Sequence, residues 1–464
     1  KEIPVPSSWQ GAAIIPIFKK GDPLLPANYR PISLIDITQK LYSSHILSRL
    51  LEWININNIF SPLQAGFRAK TSTVDQTFRL MSIHHKYVII RKQSLYMAFV
   101  DLRAAFDLVP RNLLWEKLSN IGIPNKLLDA IVQLHSDNFA QIQWGTSGEL
   151  SAKVPILRGV RQGCVLAPTL FSLFINDISP FLLKSRHDCP SIGGISSPIL
   201  LFADDSLLLS KTATGLQNLI NAFCDFLDLS GLEINTQKTK CMTFRDCKGK
   251  HYSFFAQGQL LENVSSIDYL GFRLNNKLTW VHHLQKSNTI IKQRSRAILK
   301  LHGSSSSKAI SPALAVYRAQ VQQAAIYGAE LWGYLAATNL TLSENNFIRS
   351  LTKTPQSTPL IPLFWDLDLK RIASLAATRP ILYWIRVWLT PELYSYRACL
   401  LEITSTSPLP PWLRFIKDTL YSLGLAHFWL APAELSSTAP SLFKETYWSN
   451  FYSNIHRSQP GGSL

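Results

Sequence analysis

Apolar residues along this chain follow two kinds of pattern. Continuous apolar runs of strand length occupy 14–18, 96–100 and both sides of an Asp pair within 200–209. Apolar positions spaced by three and four predict an amphipathic helix over 36–56, and a second helix is predicted over 73–90. Short runs bounded by turn residues favour strands, whereas longer periodic segments favour helices. The first half of the chain is therefore predicted to mix strands with helices.

The same two patterns continue along the rest of the chain. Further helices are predicted near 110–120, 126–139, 168–178, 216–227 and 284–332, and further strands at 242–244 and 269–272, with β-like segments before Pro155. Gly231 ends the helix that precedes the strand at 242–244. A Ser-rich break at 304–307 interrupts the last helix. Strands that alternate with crossover helices predict an α+β sheet domain.

Residues 341–464 are apolar and aromatic, with prolines between probable helices. No catalytic set of residues is recognisable there. The end of the chain, 458–464, is predicted to be disordered.

Two adjacent carboxylates, Asp204 and Asp205, lie between apolar runs and are predicted to occupy the tight turn of a β-hairpin. Asp101 ends a second apolar strand about a hundred residues earlier. Carboxylates among apolar residues are costly unless a cation balances them. Hard oxygen ligands suit Mg²⁺, and three Asp side chains at two strand ends can share two ions. Such a site activates the attacking oxygen and stabilises the leaving oxygen in phosphoryl transfer.

The charge of the chain favours a polyanionic partner. Its 464 residues, 46% of them hydrophobic, are enough for two or three folded domains. Lys and Arg number 47 against 30 Asp and Glu, which gives a net charge of +17. A basic but otherwise ordinary surface has the same composition, and the carboxylate cluster shifts the interpretation toward nucleic acid.

The cysteines and the apolar segments indicate the kind of cellular compartment in which the protein resides. Six cysteines without paired spacing argue against a disulfide framework and favour a reducing compartment, nuclear or cytoplasmic. Cys241, Cys247 and His251 match no zinc-finger spacing. No apolar stretch reaches the roughly 20 residues that span a bilayer, and no signal peptide is recognised, so no membrane partner is expected. The first residue is Lys, which favours a fragment of a longer product.

Seven sequence blocks, taken in order, resemble the reverse transcriptases of non-LTR (LINE-type) retrotransposons. The blocks are 15–34 with Asn-Tyr-Arg-Pro-Ile-Ser, 64–68 with Gln-Ala-Gly-Phe-Arg, 99–107, 159–177, 202–205 with Phe-Ala-Asp-Asp, 231–239 and 269–272. Each block alone is a weak motif, whereas their order and spacing together are specific. The resemblance covers roughly 10–335, and 327–332 is similar to the segment that closes the thumb in this family.

This resemblance implies a right-hand polymerase fold, with fingers, a palm with an antiparallel sheet, and a helical thumb. Fingers and palm would occupy 1–283, the thumb 284–340, and a mostly helical extension of unknown role 341–464. The implied activity is that of an RNA-directed DNA polymerase, whose partners are an RNA template, a DNA primer and deoxynucleoside triphosphates. Asp101, Asp204 and Asp205 would hold two Mg²⁺ ions between the primer 3′-hydroxyl and the incoming nucleotide.

Further roles carry over from the matching blocks. Phe106 corresponds to the aromatic gate that excludes a ribose 2′-hydroxyl, although a core position is the ordinary place for Phe. Leu102, Gln162 and Gly163 fall among the nucleotide-binding residues, with Gln162 and Gly163 against the nucleotide and the template base. Lys238 matches the lysine that would protonate the departing pyrophosphate, and a surface lysine would look the same in sequence.

Other positions have less defined roles. Arg30 and Arg68 lie in basic loops and are candidate triphosphate or template contacts, because a guanidinium binds phosphate bidentately. Asp107 is expected to be structural rather than a metal ligand. The hairpin at Gly271 corresponds to the primer grip.

Three alternatives stay open. A viral RNA-dependent RNA polymerase shares the palm, but Phe106 and Ala203 argue against it. A group II intron maturase would carry an RNA-binding domain that is not recognised after 335. A decayed element could bind nucleic acid without polymerising. No endonuclease, zinc knuckle or RNase H pattern is recognised in the chain.

Overall fold

The computed structural model describes residues 5–144, 148–161, 163–184, 188–245, 252–304, 310–336 and 340–457. All structural statements below concern these residues. Gln162, Cys247, His251 and the predicted disordered end at 458–464 lie outside them.

Strands and helices alternate over the first 280 residues, and helices alone follow. The strands are β1 (Gly11–Phe18), β2 (Tyr29–Leu34), β3 (Leu95–Val100), β4 (Phe139–Trp144), β5 (Glu149–Leu150), β6 (Val154–Pro155), β7 (Ser191–Ile192), β8 (Ile195–Ser196), β9 (Ile199–Phe202), β10 (Asp205–Ser210), β11 (Lys240–Phe244), β12 (Phe255–Ala256), β13 (Gln259–Leu260), β14 (Glu262–Asn263), β15 (Ser266–Tyr269) and β16 (Phe272–Asn275).

The helices of the whole described chain complete the element order. They are α1 (Ile37–Ile56), α2 (Thr73–His84), α3 (Ala105–Leu108), α4 (Arg111–Asn120), α5 (Asn125–Leu134), α6 (Ala167–Phe174), α7 (Ile178–Lys184), α8 (Ala213–Ser230), α9 (Val281–Ser304), α10 (Ile310–Val316), α11 (Gln323–Ala325), α12 (Ala329–Trp332), α13 (Thr341–Thr352), α14 (Leu360–Asp366), α15 (Ile372–Leu389), α16 (Tyr394–Thr404), α17 (Pro411–Ser422), α18 (Ala426–Leu430) and α19 (Ala439–Arg457). Residues 85–90 and 317–322 are π-helical. Short 3₁₀ turns occupy 7–9, 26–28, 333–335, 391–393 and 432–434.

A mostly antiparallel central sheet has the strand order β14-β11-β3-β10-β9. β3 lies in its middle, antiparallel to β10 on one side and to β11 on the other. All six residues of β3 are buried, which explains why its sequence is a continuous apolar run. α8 packs against β3 and β10. The centre of the hydrophobic core therefore lies around β3.

A second, N-terminal sheet contains β1, β2, β4, β5 and β6. β1 and β2 are antiparallel, with Ile17 opposite Arg30, and β4 runs parallel to β1 on its other edge. β1 and β2 project their far ends, around Phe18 and Tyr29, toward the cleft described below. This sheet supplies one wall of that cleft.

Helix ends agree with local sequence. α1 begins after Asp36, whose side chain accepts hydrogen bonds from the amides of Thr38 and Gln39. α8 ends at Gly231, which adopts a left-handed conformation with φ 63°. The sequence pattern had predicted both boundaries to within a few residues.

The C-terminal helices do not form a separate layer. α16 contacts α2, and α12 contacts α15, so that helices beyond 341 pack on helices from the first 90 residues. Their core residues join the same continuous cluster as β3. None of the helices in the described ranges combines the length and the apolar character needed to cross a membrane.

The α+β class is confirmed, and several predicted boundaries are corrected. The helix predicted over 126–139 ends at Leu134, because Asp137 has a positive φ of 50° and Phe139 starts β4 beside Gly11. The single strand predicted at 269–272 is the turn of the β15–β16 hairpin. The helix predicted over 168–178 ends at Phe174 and is followed by α7.

Candidate active site

A cleft of about 1180 Å³ opens between the N-terminal sheet and the carboxyl end of β3. One wall comes from the β1–β2 hairpin, with Lys19, Lys20 and Arg30. The floor contains Asp101 and Asp204, and the segment that follows β3 forms the opposite wall. Acidic side chains at the floor thus face basic side chains on the wall.

Asp204 lies in the turn between β9 and β10, as the sequence predicts, whereas Asp205 is the first residue of β10 rather than part of the turn. Asp205 pairs with Phe202 across the hairpin, leaving Ala203 and Asp204 as the turn. Ala203 has a φ of 57°, in the left-handed region that favours glycine. Its amide donates a hydrogen bond of 3.3 Å to Gln64 Oε1, which also accepts from the Gly66 amide at 2.8 Å. The loop before α2 therefore supports this strained turn.

Asp101 is brought beside the turn by strand register. β3 and β10 are antiparallel neighbours with Val100 opposite Ser206. Asp101, the residue that follows β3, therefore lies level with Asp205. The Asp101 carbonyl accepts from the amide of Asn235 at 2.8 Å, and its amide donates to Thr239 Oγ1 at 3.3 Å. The segment 235–239 is therefore hydrogen-bonded to the end of β3.

The same segment carries Lys238 into the cleft. Lys238 Nζ lies 3.6 Å from Asp101 Oδ2, and the lysine side chain is 69% exposed. A solvent-exposed pair of this kind adds little stability. The exposed Lys238 ammonium lines the cleft and is accessible to a ligand there.

The carboxylates influence one another electrostatically. Burial, followed by the charges of Asp204 and Asp101, raises the pKa of Asp205 to about 6. Burial also raises the pKa of Asp204, and Asp101 adds to this effect while the positive charge of Arg30 opposes it. Burial and neighbouring negative charge thus raise the pKa values of both Asp204 and Asp205, and a cation bound beside them would offset that repulsion.

The donor set fits a divalent metal ion. Asp101, Asp204 and Asp205 offer hard carboxylate oxygens at two neighbouring strand ends, the ligand type that Mg²⁺ prefers. Within the described ranges, no three Asp, Glu, His or Cys side chains already stand at ligand distance around one point.

Phe106 lines the cleft close to these carboxylates. Its ring stacks on Phe171 at 4.6 Å between centroids and meets the edge of Phe67 at 6.3 Å. The ring is half-buried, so it is partly a core residue and partly a cleft surface. Both interpretations of Phe106 from sequence thus describe part of its environment.

Leu102 and Gly163 also line the cleft. Leu102 is buried and forms an isolated bridge with Ile234. Gly163 has a φ of 114°, and a Cβ there would stand 2.4 Å from the carbonyl oxygen of Ser33. Only glycine fits this approach of two backbones. Its neighbour Gln162 is outside the described residues.

Arg68 is not among the residues that line the cleft, unlike Arg30. Its Nη1 donates to the carbonyls of Ser61 at 3.0 Å and Gln64 at 3.2 Å, and its guanidinium lies over the Phe60 ring. Burial lowers the pKa of Arg68. These contacts give Arg68 a structural role in holding the loop before α2.

Sequence reasoning left several cleft residues unassigned. Lys19 and Lys20 lie in a segment identified only as a basic loop, and Asn235 lies inside the block 231–239 without a role. Asp107, expected to be structural, also lines the cleft. The signal for Lys19 and Lys20 was their position directly after β1, at the end nearest Arg30.

The β15–β16 hairpin turns at Leu270 and Gly271, both with positive φ. The Tyr327 hydroxyl donates to the Leu270 carbonyl at 2.8 Å and contacts Thr73 Oγ1 at 2.8 Å. A Cβ at Gly271 would stand 2.7 Å from the Tyr327 ring. The hairpin, the start of α2 and the segment 327–332 therefore meet at one tyrosine.

Comparison with known proteins gives one family. The model of the reverse transcriptase (RNA-dependent DNA polymerase) family matches residues 17–274. The chain is 28% identical over 384 residues to the probable RNA-directed DNA polymerase from transposon BS of Drosophila melanogaster, covering 79% of this chain and 41% of that protein. It is 27% identical over 342 residues to the RNA-directed DNA polymerase from mobile element jockey of the same species, covering 72% and 36%.

A third relative is the Pol polyprotein from the type-1 retrotransposable element R2 of Popillia japonica, with 29% identity over 242 residues, covering 51% of this chain and 32% of that protein. A solved telomerase of Candida tropicalis has a TM-score of 0.44 at 12% identity, covering 90% of this chain and 65% of that one. The chain spans 41% or less of the length of these three sequence relatives.

Proposed function

Because the chain belongs to the reverse transcriptase (RNA-dependent DNA polymerase) family, we propose that its cleft adds deoxynucleotides to a DNA primer on an RNA template. The resemblance to the reverse transcriptases of non-LTR retrotransposons is confirmed, as is a fold of mixed strands and helices with a helical C-terminal region; the right-hand arrangement that the resemblance implies is part of this proposal. The observation that carries the proposal is the placement of Asp101, Asp204 and Asp205 at two adjacent strand ends, with Asp101 and Asp204 in the floor of a basic cleft.

The family generally uses divalent metal ions. We propose that Asp101, Asp204 and Asp205 hold two Mg²⁺ ions. Bound there, the ions would supply Lewis-acid stabilisation of the attacking and leaving oxygens. The carboxylates have to be deprotonated to act as ligands, and a bound cation would offset the burial and the neighbouring negative charges that raise the pKa values of Asp204 and Asp205.

The surrounding residues bind and orient the substrates. Arg30, Lys19 and Lys20 face the carboxylates across the cleft and are placed to bind the triphosphate. Lys238 is placed to protonate the departing pyrophosphate. The Phe106 ring limits the space available to a ribose 2′-hydroxyl, and Gly163, which lines the same cleft, lies against the nucleotide and the template base.

The segments of the hand follow the chain. We assign fingers and palm to 1–283 and the thumb to 284–340, of which α9 is the first helix. The thumb helix begins at Val281, slightly before that boundary. Beyond 341, α13 packs against the thumb helix α9, whereas α16 packs against α2. Their role is taken up in the next subsection.

Primer extension tests the proposal. The full chain and its Asp204→Asn variant are given a labelled DNA primer, an RNA template, deoxynucleotides and Mg²⁺, with Asp129→Asn as control because Asp129 is an exposed carboxylate on α5 away from the cleft. We expect extension by the wild type and the control, and none by Asp204→Asn. Binding of the hybrid by all three proteins without extension would instead support a protein that binds nucleic acid without polymerising.

A further inference from the structure

Helix α2 connects the strand that carries the Asp pair with the C-terminal helices. On one side it contacts β9, which leads into the Ala203–Asp204 turn, and on another it contacts α16. Its residues Asp75, Gln76 and Arg79 are buried completely despite their polar side chains. Buried polar groups in a helix of twelve residues need partners, and these partners lie in both neighbours.

Gln76 is the partner of β9. Its Nε2 donates to the Leu201 carbonyl at 2.9 Å and to the Leu63 carbonyl at 2.8 Å. Leu201 lies three residues before Asp204 on the strand that enters the turn. A single side-chain amide thus joins β9 to the loop whose Gln64 supports the turn.

These carbonyls do not depend on Gln76 to be satisfied. The Leu201 carbonyl also accepts from the Ala65 amide at 2.9 Å, and the Leu63 carbonyl accepts from the Leu201 amide at 3.0 Å. Loss of the Gln76 donors would therefore leave no backbone carbonyl unpaired. Its effect would fall on the position of β9 rather than on the stability of the fold.

The C-terminal helices hold α2 from the other side. Asp75 accepts from the Tyr383 hydroxyl at 2.9 Å and from Arg386 at 3.1 Å. Arg79 donates to Ser395 Oγ at 2.7 Å, and its guanidinium lies 4.7 Å from the centroid of the Tyr396 ring.

The contact reaches Gln76 itself. The Tyr396 hydroxyl lies 3.4 Å from Gln76 Oε1, and both residues are buried. The path from α16 to the turn therefore has three members, Tyr396, Gln76 and the Leu201 carbonyl. An amide whose oxygen is engaged by Tyr396 keeps its NH₂ group turned toward β9 and the loop.

We propose that Gln76 is a positioning residue for the metal-binding carboxylates and that the C-terminal helices, through Tyr396, hold its amide in place. This gives residues beyond 341 a role in the catalytic site, although none of those described lines the cleft. The inference rests on the proposed function, because it concerns the ions that the Asp residues would hold. Mutation of residues that orient metal ligands without binding the metal themselves typically changes metal affinity by 10- to 100-fold.

The test compares three variants of the full chain. Gln76→Met removes both donors at similar volume, and Tyr396→Phe removes only the hydroxyl. Thr77→Val is the matched control, since Thr77 is the buried neighbour of Gln76 and its hydroxyl bonds only to the Thr73 carbonyl of its own helix. Mn²⁺ binding without substrate is measured by electron paramagnetic resonance, with the Mg²⁺ dependence of extension and the melting temperature alongside.

We expect Gln76→Met to weaken Mn²⁺ binding and to raise the Mg²⁺ concentration for half-maximal extension by about tenfold. Tyr396→Phe should shift both in the same direction by a smaller factor, and Thr77→Val should leave both at the wild-type value. If Gln76→Met changes the melting temperature but not the metal dependence, Gln76 is merely structural and the proposal fails. If Tyr396→Phe has no effect on metal binding, the role of the C-terminal helices is overturned.

The Mn²⁺ measurement separates this inference from the polymerase proposal. A wild-type chain that binds Mn²⁺ but extends no primer would refute the proposed function, while the comparison of Gln76→Met with Thr77→Val in Mn²⁺ binding would still decide the role of Gln76. A wild-type chain that binds no Mn²⁺ would overturn the inference.

Discussion

Replacing Gly66 with alanine perturbs the catalytic turn directly. Gly66 lies in the loop before α2, against the backbone of the turn between β9 and β10. A Cβ on Gly66 would stand 2.1 Å from the Ala203 amide nitrogen, 2.8 Å from the Phe202 carbonyl carbon and 3.0 Å from the Ala203 Cα. All three atoms belong to backbone, so no flexible side chain can move aside.

The size of the effect follows from these distances. Ordinary contact starts at 3.4 Å, so the loop and the turn must separate by more than 1 Å at the shortest contact. A misplacement of about 1 Å costs on the order of 100-fold in rate, or about 2.7 kcal/mol of transition-state stabilisation. Overpacking should also lower the free energy of unfolding by about 1–3 kcal/mol.

Single-turnover primer extension and thermal unfolding measure the two effects separately. Gly303→Ala is the control, because no neighbouring atom lies within 4 Å of a Cβ at Gly303. We expect Gly66→Ala to remain folded at 25 °C and to lose about 100-fold in extension rate. If it extends primer as fast as Gly303→Ala, the loop before α2 does not set the position of Asp204 and Asp205.

Three further predictions concern the cleft and the C-terminal helices. Phe106→Val opens space where a ribose 2′-hydroxyl would lie, so we expect discrimination against ribonucleotides, measured as the ratio of kcat/KM values, to fall at least about tenfold, while an unchanged ratio would leave Phe106 a core residue. Lys238→Ala should lower kcat by about 100-fold or more if the lysine donates a proton, with KM for the hybrid unchanged. Wild-type activity in Lys238→Arg, whose guanidinium keeps the charge but does not release a proton, would refute that role. Burial raises the pKa of Glu344 to about 7 from an ordinary value of 4.5, so the folded chain holds a proton that the unfolded chain has released, and stability should fall as pH rises from about 4.5 to 7. The free energy of unfolding of Glu344→Gln, measured by denaturant titration, should therefore exceed that of the wild type at pH 8 by up to about 3 kcal/mol. Below pH 4.5 the two proteins should be equally stable, and a variant less stable than the wild type at pH 8 would contradict this.

The sequence predicts local parts of the site well, because their signals are local. Apolar runs on both sides of Asp204 and Asp205 predict the hairpin, and the run before Asp101 predicts β3. The strand predicted at 269–272 spans the turn at Gly271, because Tyr269 and Phe272 pair across the hairpin but form one short apolar run in sequence. The helix end at Leu134 was missed since Ser136 and Asp137 carry no strong helix-breaking signal.

Contacts between distant segments could not be predicted from one sequence. The pairing of Asp75 with Tyr383 spans 308 positions, and nothing at either end distinguishes this Asp from a surface residue. Arg68 shows the same limit. The sequence does not distinguish an arginine that binds phosphate from one that, like Arg68, donates to the backbone carbonyls of Ser61 and Gln64.

The strand order of the central sheet sets the order in which the protein can fold during synthesis. β3 is completed at Val100, but its neighbours β10 and β11 end only at Ser210 and Phe244. Tyr383 and Ser395, the partners of Asp75 and Arg79, are synthesised later still. Until then the central apolar strand and the charges of Asp75 and Arg79 lack these distant native contacts, which favours slow folding and exposes the nascent chain to aggregation. A shorter fragment that lacks these partners should therefore aggregate during expression before any loss of its catalytic activity becomes measurable.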